Sequence, residues 1–487
     1  MVLIYFLIKK LLSSRRIHLT CFALFFLNGC IVPTVQEINK NIDRIYYENR
    51  DDTNPALLTV FLNLHNINRQ EIRIVISGLD ASIDGNWISL LTQPAIINTS
   101  EVKLGQVILA RKSIPTGNFQ HFRVTLSGAS NISDNIQQTL EIEQSEVEVQ
   151  LEQAVTIDKD DSQSVFIGFD ASASLKSRGK FTPVFSVRSS DDKPLPSDLA
   201  FVSCPDINTV YFFRTDRNWI QGSIGVTGKP TYIFVNQPEN RLYVLAENES
   251  MIKSYDIFTS ALIDQFQIPM TLNPSFMTVT PDMRWAYLID SEGDYLVKMD
   301  LSSGNFVSRM RFGEKLKYIS YLPRQEKLAV SLEISQSVAI LDPMTMDTLY
   351  TIPVSGSPQG LLENEEFLYI TESISNNIIV YDFSNAKIIK RINTGFTPKR
   401  LIAFNNNVIV ANYDSSSVSV FLSRYLNIPK EVETGEHPQE MAYSQRRGWL
   451  YVGDENPGGL SVIDITTYRN AGYLDLGARP LGLAIMQ

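Results

Sequence analysis

From Pro230 onward the chain repeats one arrangement of apolar and polar positions. A Gly-x-Pro turn is followed by an apolar run (Tyr232-Ile233-Phe234-Val235), a polar turn (Pro238-Glu239-Asn240) and a second apolar run (Leu242-Tyr243-Val244-Leu245). A polar loop, a third run closing on an apolar-Asp pair and a fourth, alternating run (Leu262 to Ile268) complete the unit. The turn recurs at Pro274, Pro358, Pro398, Pro438 and Pro480, and Tyr318 takes its place in the unit that lacks proline, giving spacings of 44, 44, 40, 40, 40 and 42 residues. The apolar-Asp pairs recur as Tyr255-Asp256, Met299-Asp300, Leu341-Asp342, Tyr381-Asp382 and Ile463-Asp464, with Phe421-Leu422 where the acid is lost. Short runs rich in Val, Ile, Tyr and Phe, bounded by Gly, Pro, Asn and Asp, are strands rather than helices. Four such strands in a unit repeated at a fixed period predict a β-propeller.

Six complete units begin at Pro230, Pro274, Tyr318, Pro358, Pro398 and Pro438; a seventh begins at Pro480 and holds one strand, "LGLAIM". Upstream, "AFVSC", "TVYFFR" and "IQGSIGV", between Ala200 and Val226, form three strands with no first strand of their own. The last strand is therefore expected to complete the first blade, which predicts a seven-bladed ring over 199–487 with no unpaired edge at the seam. Before it, short strands from "LLTVFLNL" to "KFTPVFSVR" predict a β-sandwich over 55–188, and "SSDDKPLPSD" predicts an extended linker over 189–198. The fold expected is all-β.

The segments Val408–Phe421, Leu450–Asp464 and Leu368–Asp382, which read "VIVANYDSSSVSVF", "LYVGDENPGGLSVID" and "LYITESISNNIIVYD", resemble the repeats of bacterial propellers of the YVTN type. That resemblance spans about three fifths of the chain and implies a fold rather than a function, because such propellers serve as enzymes, haem carriers and binding platforms. The order of "GNWISL" (Gly85–Leu90), "SIPTGNFQHFRVTLSGA" (Ser113–Ala129), "SVFIGFDASASL" (Ser164–Leu175) and "GKFTPVFSVR" (Gly179–Arg188) is similar to a family of uncharacterised domains of bacterial surface lipoproteins. This implies an immunoglobulin- or transthyretin-like sandwich and brings no site residues.

The first residues decide the expected location. Lys9, Lys10, Arg15 and Arg16 precede an apolar stretch from Leu19 to Leu27 and then "LNGC". A basic segment, a short apolar core and small residues make a secretory signal, too short to span a membrane as a helix. Cys30 directly after Gly29 makes the segment resemble a bacterial lipoprotein signal: 1–29 is the signal peptide, Cys30 the lipidated (palmitate-bearing) new N-terminus, and 30–54 a tether. Ile31 stands where an aspartate would retain such a protein at the inner membrane, so the outer membrane is favoured in a two-membrane cell. Without the signal's four bases the chain has 39 Lys+Arg against 53 Asp+Glu, a formal charge of −14, which argues against nucleic acid as a partner. An envelope or extracellular protein, or a glycan, is the expected partner. Cys204 is then the one cysteine outside the signal and the lipid site, so no intramolecular disulfide is expected.

The sequence holds no HExxH, GxSxG, phosphate-binding loop or paired-cysteine metal motif, and no Cys-x-x-Cys-His for covalent haem. Non-covalent haem would depend on His437 or a methionine as axial ligand, and no cofactor is expected. Counting back from the apolar-Asp pairs puts Glu247, Asp290, Glu333, Glu372, Asn412 and Asp454 at matching loop positions, with Cys204 in the seam blade. Lys229, Lys399, Arg479, and His437 beside Glu436, lie on the entry turns at the same end of the ring. Such an acidic ring at a channel mouth calls for a counter-charge, which Ca²⁺, a basic ligand or a protein loop would supply. The competing reading is that the carboxylates are ordinary loop residues neutralised by the nearby bases. A lipid-anchored binding or scaffolding platform is the function expected, with a lactonase- or lyase-like propeller enzyme using the channel mouth as the alternative.

Overall fold

The computed structural model describes residues 56–66, 71–133, 136–190, 198–423, 426 and 429–486. The signal, Cys30 and the tether lie outside the described residues, as do residues 191–197 of the linker. No helix among the described residues is long and apolar enough to cross a membrane.

Seven four-stranded antiparallel sheets follow one another as blades 1 to 7. In each, the four strands pair in meander order, and the inner strands of blades 2, 3, 5, 6 and 7 carry the turn proline. Blade 1 consists of Leu199–Cys204, Thr209–Arg214, Trp219–Gly225 and, as its inner strand, Leu483–Ile485. The register Ala200↔Ile485, Phe201↔Ala484 and Val202↔Leu483 closes the ring at the predicted seam. Proline is tolerated at the head of each inner strand because that position starts the strand and need not donate to the ladder.

One blade start differs from expectation. Leu316 pairs with Leu332 as Pro274 pairs with Asp290, so blade 4 begins at Leu316 and Tyr318 lies two residues inside it. The aromatic side chain had stood in for the missing proline; with Leu316 the spacings become 44, 42, 42, 40, 40 and 42. In blades 2 to 7 the register shifts between this first residue and the two or three that follow, a bulge that re-aims the side chains just inside the channel end.

The burial pattern explains the composition of the strands. Second strands such as Arg241–Ala246 are buried nearly throughout, because blades on both sides cover them, whereas the outer strand Asn305–Arg311 alternates exposed and half-buried positions. Tyr243, Leu245 and Ile252 of blade 2 share one core with Met277, Leu288 and Val297 of blade 3. The repeated aspartate caps the turn between the third and fourth strands. Asp342 Oδ1 accepts from the N–H groups of Met344 (2.7 Å) and Thr345 (3.0 Å), and Asp256, Asp300, Asp382 and Asp464 do the same in their blades.

The N-terminal module has two main sheets over a common core, beside a short pair of Glu141–Ile142 with Lys180–Phe181. One sheet orders Phe185–Arg188, Ser162–Asp170, Ala56–His65 and Gln106–Ile114; the other is built on Glu71–Ile83 and Gly117–Ser133. Val60, Leu62, Leu109 and Val165 of the first meet Ile74, Phe122 and Val124 of the second. Ala95–Asn98, which adds a strand to Glu71–Ile83, was not foreseen.

The two modules are not held apart by a spacer. The outer face of the first sheet joins blades 1 and 7 in a single apolar cluster, with Leu57, Phe61, Ile108 and Phe166 packed among Val202, Tyr211, Ile220, Tyr451 and Leu476. Gln106 acts like one more strand residue, its Oε1 accepting from Ile220 N (2.7 Å) and its Nε2 donating to Ile220 O (3.1 Å). Arg111 reaches the carbonyls of Leu476 and Gly477 and donates to the Tyr211 hydroxyl at 3.0 Å. Ser164 and Ser223 hydroxyls lie 2.8 Å apart across the junction. The near-continuous burial of Ala56–His65 follows from this, since both of its faces are covered.

Candidate functional site

The structure does not gather the predicted carboxylates into a channel-mouth ring. Asp290, Glu372, Asn412 and Asp454 lie at or near the ends of the second strands, each opposite the turn proline of its inner strand, and all four are 0% exposed. Three of them brace turns. Asp290 accepts from Leu272 N (2.8 Å), Asn273 N (2.9 Å) and Gly293 N (3.1 Å). Glu372 Oε1 accepts from Ser355 N (2.6 Å) and Gly356 N (2.9 Å), while Asp454 Oδ2 accepts from Ser461 N (3.1 Å) and Ser461 Oγ (2.6 Å). Burial pushes the Asp454 carboxyl up to about 7, and its Oδ1 has no hydrogen-bond partner. Asn412 donates to Ser417 and Ser419 hydroxyls, and Cys204 occupies the same position, buried, in blade 1.

Glu247 and Glu333 follow Ala246 and Leu332, the residues that occupy this position in blades 2 and 4. A one-residue slip turns a strand side chain to the other face, so these two acids belong to a different set. They sit at the channel end and are neutralised there: Glu247 by Lys229 at 2.7 Å, Glu333 by Lys317 at 3.0 Å and Lys315 at 3.6 Å. Among the described residues no three His, Cys, Asp or Glu side chains form a group that could hold a metal ion.

The same end holds a second cluster, contributed by blades 6, 7 and 1. Lys399 Nζ lies over the Tyr413 ring, 3.1 Å from its centroid. The Tyr413 hydroxyl donates to Glu455 at 2.7 Å; Gln439 also donates to Glu455, and Arg479 stands between Glu455 (3.8 Å) and Asp206 (3.2 Å). His437 stacks on Tyr413 with centroids 4.5 Å apart and lies 4.0 Å from Asp414, which places it in this cluster and not with the buried carboxylates. Burial, only partly offset by Glu455, brings the Lys399 ammonium down to about 8.

One step deeper, the channel is filled by side chains that sequence reasoning missed. The residue two after each turn position reads Tyr232, Phe276, Tyr318, Gly360, Arg400, Glu440 and Gly482 in blades 2 to 7 and 1. Arg400 of blade 6 reaches across the channel, its guanidinium carbon 4.0 Å from the Tyr318 ring centre and 4.4 Å from that of Phe276, in blades 4 and 3. Its Nε lies 3.6 Å from Glu440 Oε2. Burial raises the Glu440 carboxyl against the pull of Arg400, and raises the phenols of Tyr232 and Tyr318 as well. A Cβ at Gly360 would collide with the Lys399 carbonyl, so glycine there lets the next inner strand close in. The signal available in the sequence was heterogeneity: equivalent positions that elsewhere repeat one chemistry here carry aromatic, cationic, acidic and bare residues.

Comparison with known proteins covers both modules. Residues 32–183 match the family model described as a Domain of unknown function (DUF4382). No curated protein sequence matches the chain. A functionally unknown protein from Desulfotomaculum acetoxidans DSM 771 is similar in structure, with TM-score 0.53 and 14% identity over 60% of this chain and 99% of that one. A putative 6-phosphogluconolactonase from Bacteroides fragilis NCTC 9343 is similar at TM-score 0.49 and 12% identity, covering 60% of this chain and 99% of its own. Virginiamycin B lyase from Staphylococcus aureus is similar at TM-score 0.46 and 12% identity, over 53% and 89%. At such identities the first of these likenesses concerns fold alone, and the other two carry no argument about chemistry.

Proposed function

We propose that the chain is a lipid-anchored binding protein of the cell envelope, built from a surface-lipoprotein sandwich and a YVTN-type propeller. Cys30 carries the lipid, residues 31–54 form the tether, and the fused modules present the channel end of the propeller to an envelope or extracellular ligand, protein or glycan. The observation that carries this reading is the cross-pairing at that end. Lys229 with Glu247, Lys317 with Glu333 and Arg479 with Glu455 are held partner to partner between turns, an arrangement that shapes a recognition surface and leaves those groups neutralised for acid-base work. The start of the family match at residue 32, just after Cys30, supports a mature chain that begins at the cysteine. In a two-membrane cell the outer membrane is its place.

Two experiments test the reading. Cys30→Ser should release the protein from the membrane fraction or stall it as precursor and abolish labelling by a palmitate analogue; unchanged labelling removes the anchor. Lactone hydrolysis by the purified protein above the buffer rate would favour the lactonase-like alternative instead.

A further inference from the structure

We propose that the channel end of the propeller is a binding site for a small anion bearing a carboxylate or phosphate group, with Lys399 and Arg400 as its cationic donors. This rests on the binding-protein reading and reverses the charge that the sequence suggested for the ligand. Three cations of two inner strands come together there. Lys317 and Lys399 each follow the first residue of their strand, in blades 4 and 6, and the positive charges of Arg400 and Lys317 both bear on Lys399. Lys317 is answered by Glu333. The other two have capacity left. Arg400 is only 8% exposed, is engaged by Glu440 through Nε, and keeps a buried Nη1 that no hydrogen-bond acceptor meets. Lys399 has no carboxylate within 4.0 Å among the described residues; its contact is the Tyr413 face.

The acids that could have answered them are engaged elsewhere. Glu455 takes hydrogen bonds from Tyr413 and Gln439 and faces Arg479, and Asp414 takes one from the Thr397 hydroxyl and faces His437. A buried donor without an acceptor is unfavourable, and an anion that accepts from Arg400 Nη1 and Lys399 Nζ would satisfy both at once. The cations are also held in place before any ligand arrives. Arg400 is fixed against Phe276 and Tyr318, and Lys399 against Tyr413, so little side-chain freedom is lost on binding.

Inorganic phosphate and succinate, each at millimolar concentration and constant ionic strength, are the probes. Either should raise the melting temperature of the wild-type protein, and the more effective one identifies the head group. Lys399→Gln should weaken binding about tenfold or more, as expected for one charge-assisted hydrogen bond. Because Arg400→Gln alone would leave Glu440 unpaired, the second variant is Arg400→Gln with Glu440→Gln, which should also lose binding while staying folded. In ¹³C-dimethyl-lysine NMR the Lys399 resonance should titrate at higher pH with the anion present, a response that a purely structural lysine would not give. No thermal shift with either probe, or wild-type affinity in both variants, overturns the anion site; membrane release by Cys30→Ser would still stand, so the two proposals fail separately.

Discussion

Two sets of sevenfold-equivalent positions lie within a few residues of each other and behave oppositely. Asp290, Glu372 and Asp454, at the ends of second strands, point their carboxylates into turns and find their partners in nearby main-chain and serine groups. Arg400, Glu440 and the aromatic residues at the second position of the inner strands find theirs on other blades, across the channel. The first set repeats a carboxylate in blades 3, 5 and 7, where it answers the same local problem, N–H and hydroxyl groups close by in its own blade that need an acceptor. The second differs from blade to blade because the ring as a whole has one lumen to fill. In a repeat protein, like residues at like positions mark shared construction, and unlike residues at like positions mark the places where the assembled ring does something once.

The largest effect is expected at the seam. Deleting Ala478 to Met486 removes the inner strand of blade 1 and also Ala478 from the cluster shared by the two modules. Because that cluster is common, both modules should lose protease resistance together; a surviving resistant fragment spanning residues 56–190 would show that the N-terminal module folds independently of the ring. Next comes the lumen pair. Arg400→Gln should cost about 3–5 kcal/mol in chemical denaturation, because Glu440 is left buried without its counter-charge, and adding Glu440→Gln should restore a large part of the loss. Equal losses in the single and double variants would mean that the two side chains do not depend on each other.

A smaller effect, of opposite pH sense to ordinary acid denaturation, is expected at Asp454. Its carboxyl is pulled up to about 7 by burial, so the folded protein holds a proton that the unfolded chain releases near its ordinary value. Stability from this group is full below the unfolded value and declines as pH rises through about 7, by at most about 4 kcal/mol if the whole shift is felt. Asp454→Asn should flatten that part of the pH profile of thermal melting; an unchanged profile would place the dependence elsewhere. Gly360→Ala should cost about 1–3 kcal/mol by pushing the Lys399 backbone outward, and a neutral result would mean that the inner strands yield there.

The propeller was largely legible in the sequence because its evidence is redundant: each blade repeats the same turn, the same apolar runs and the same capping aspartate, so the loss of the proline in blade 4 and of the acid in blade 6 did not hide the count. Only the start of blade 4 slipped, where Tyr318 replaced Leu316 in the reckoning. The candidate site was much less legible. Glu247 and Glu333 were placed in one set with Asp290 although a single residue separates the two registers, and spacing alone does not reveal a bulge. The Arg400–Glu440 pair joins blades through the channel, a contact that no local pattern encodes. The docking of the N-terminal module on blades 1 and 7 left one trace, the run "ALLTVFLNL", apolar at all but Thr59 and Asn63, whose meaning is a strand covered on both faces.

The most direct test of this division between bracing and binding positions is calorimetric titration of inorganic phosphate into three forms of the protein: wild type, Glu372→Gln and Lys399→Gln. Glu372 belongs to the bracing set, and a glutamine Oε1 can still accept from Ser355 and Gly356. Wild type and Glu372→Gln should therefore bind alike, and Lys399→Gln should bind at least about tenfold more weakly. Binding lost in Glu372→Gln and kept in Lys399→Gln would return the site to the carboxylate ring and contradict the assignment of the lumen.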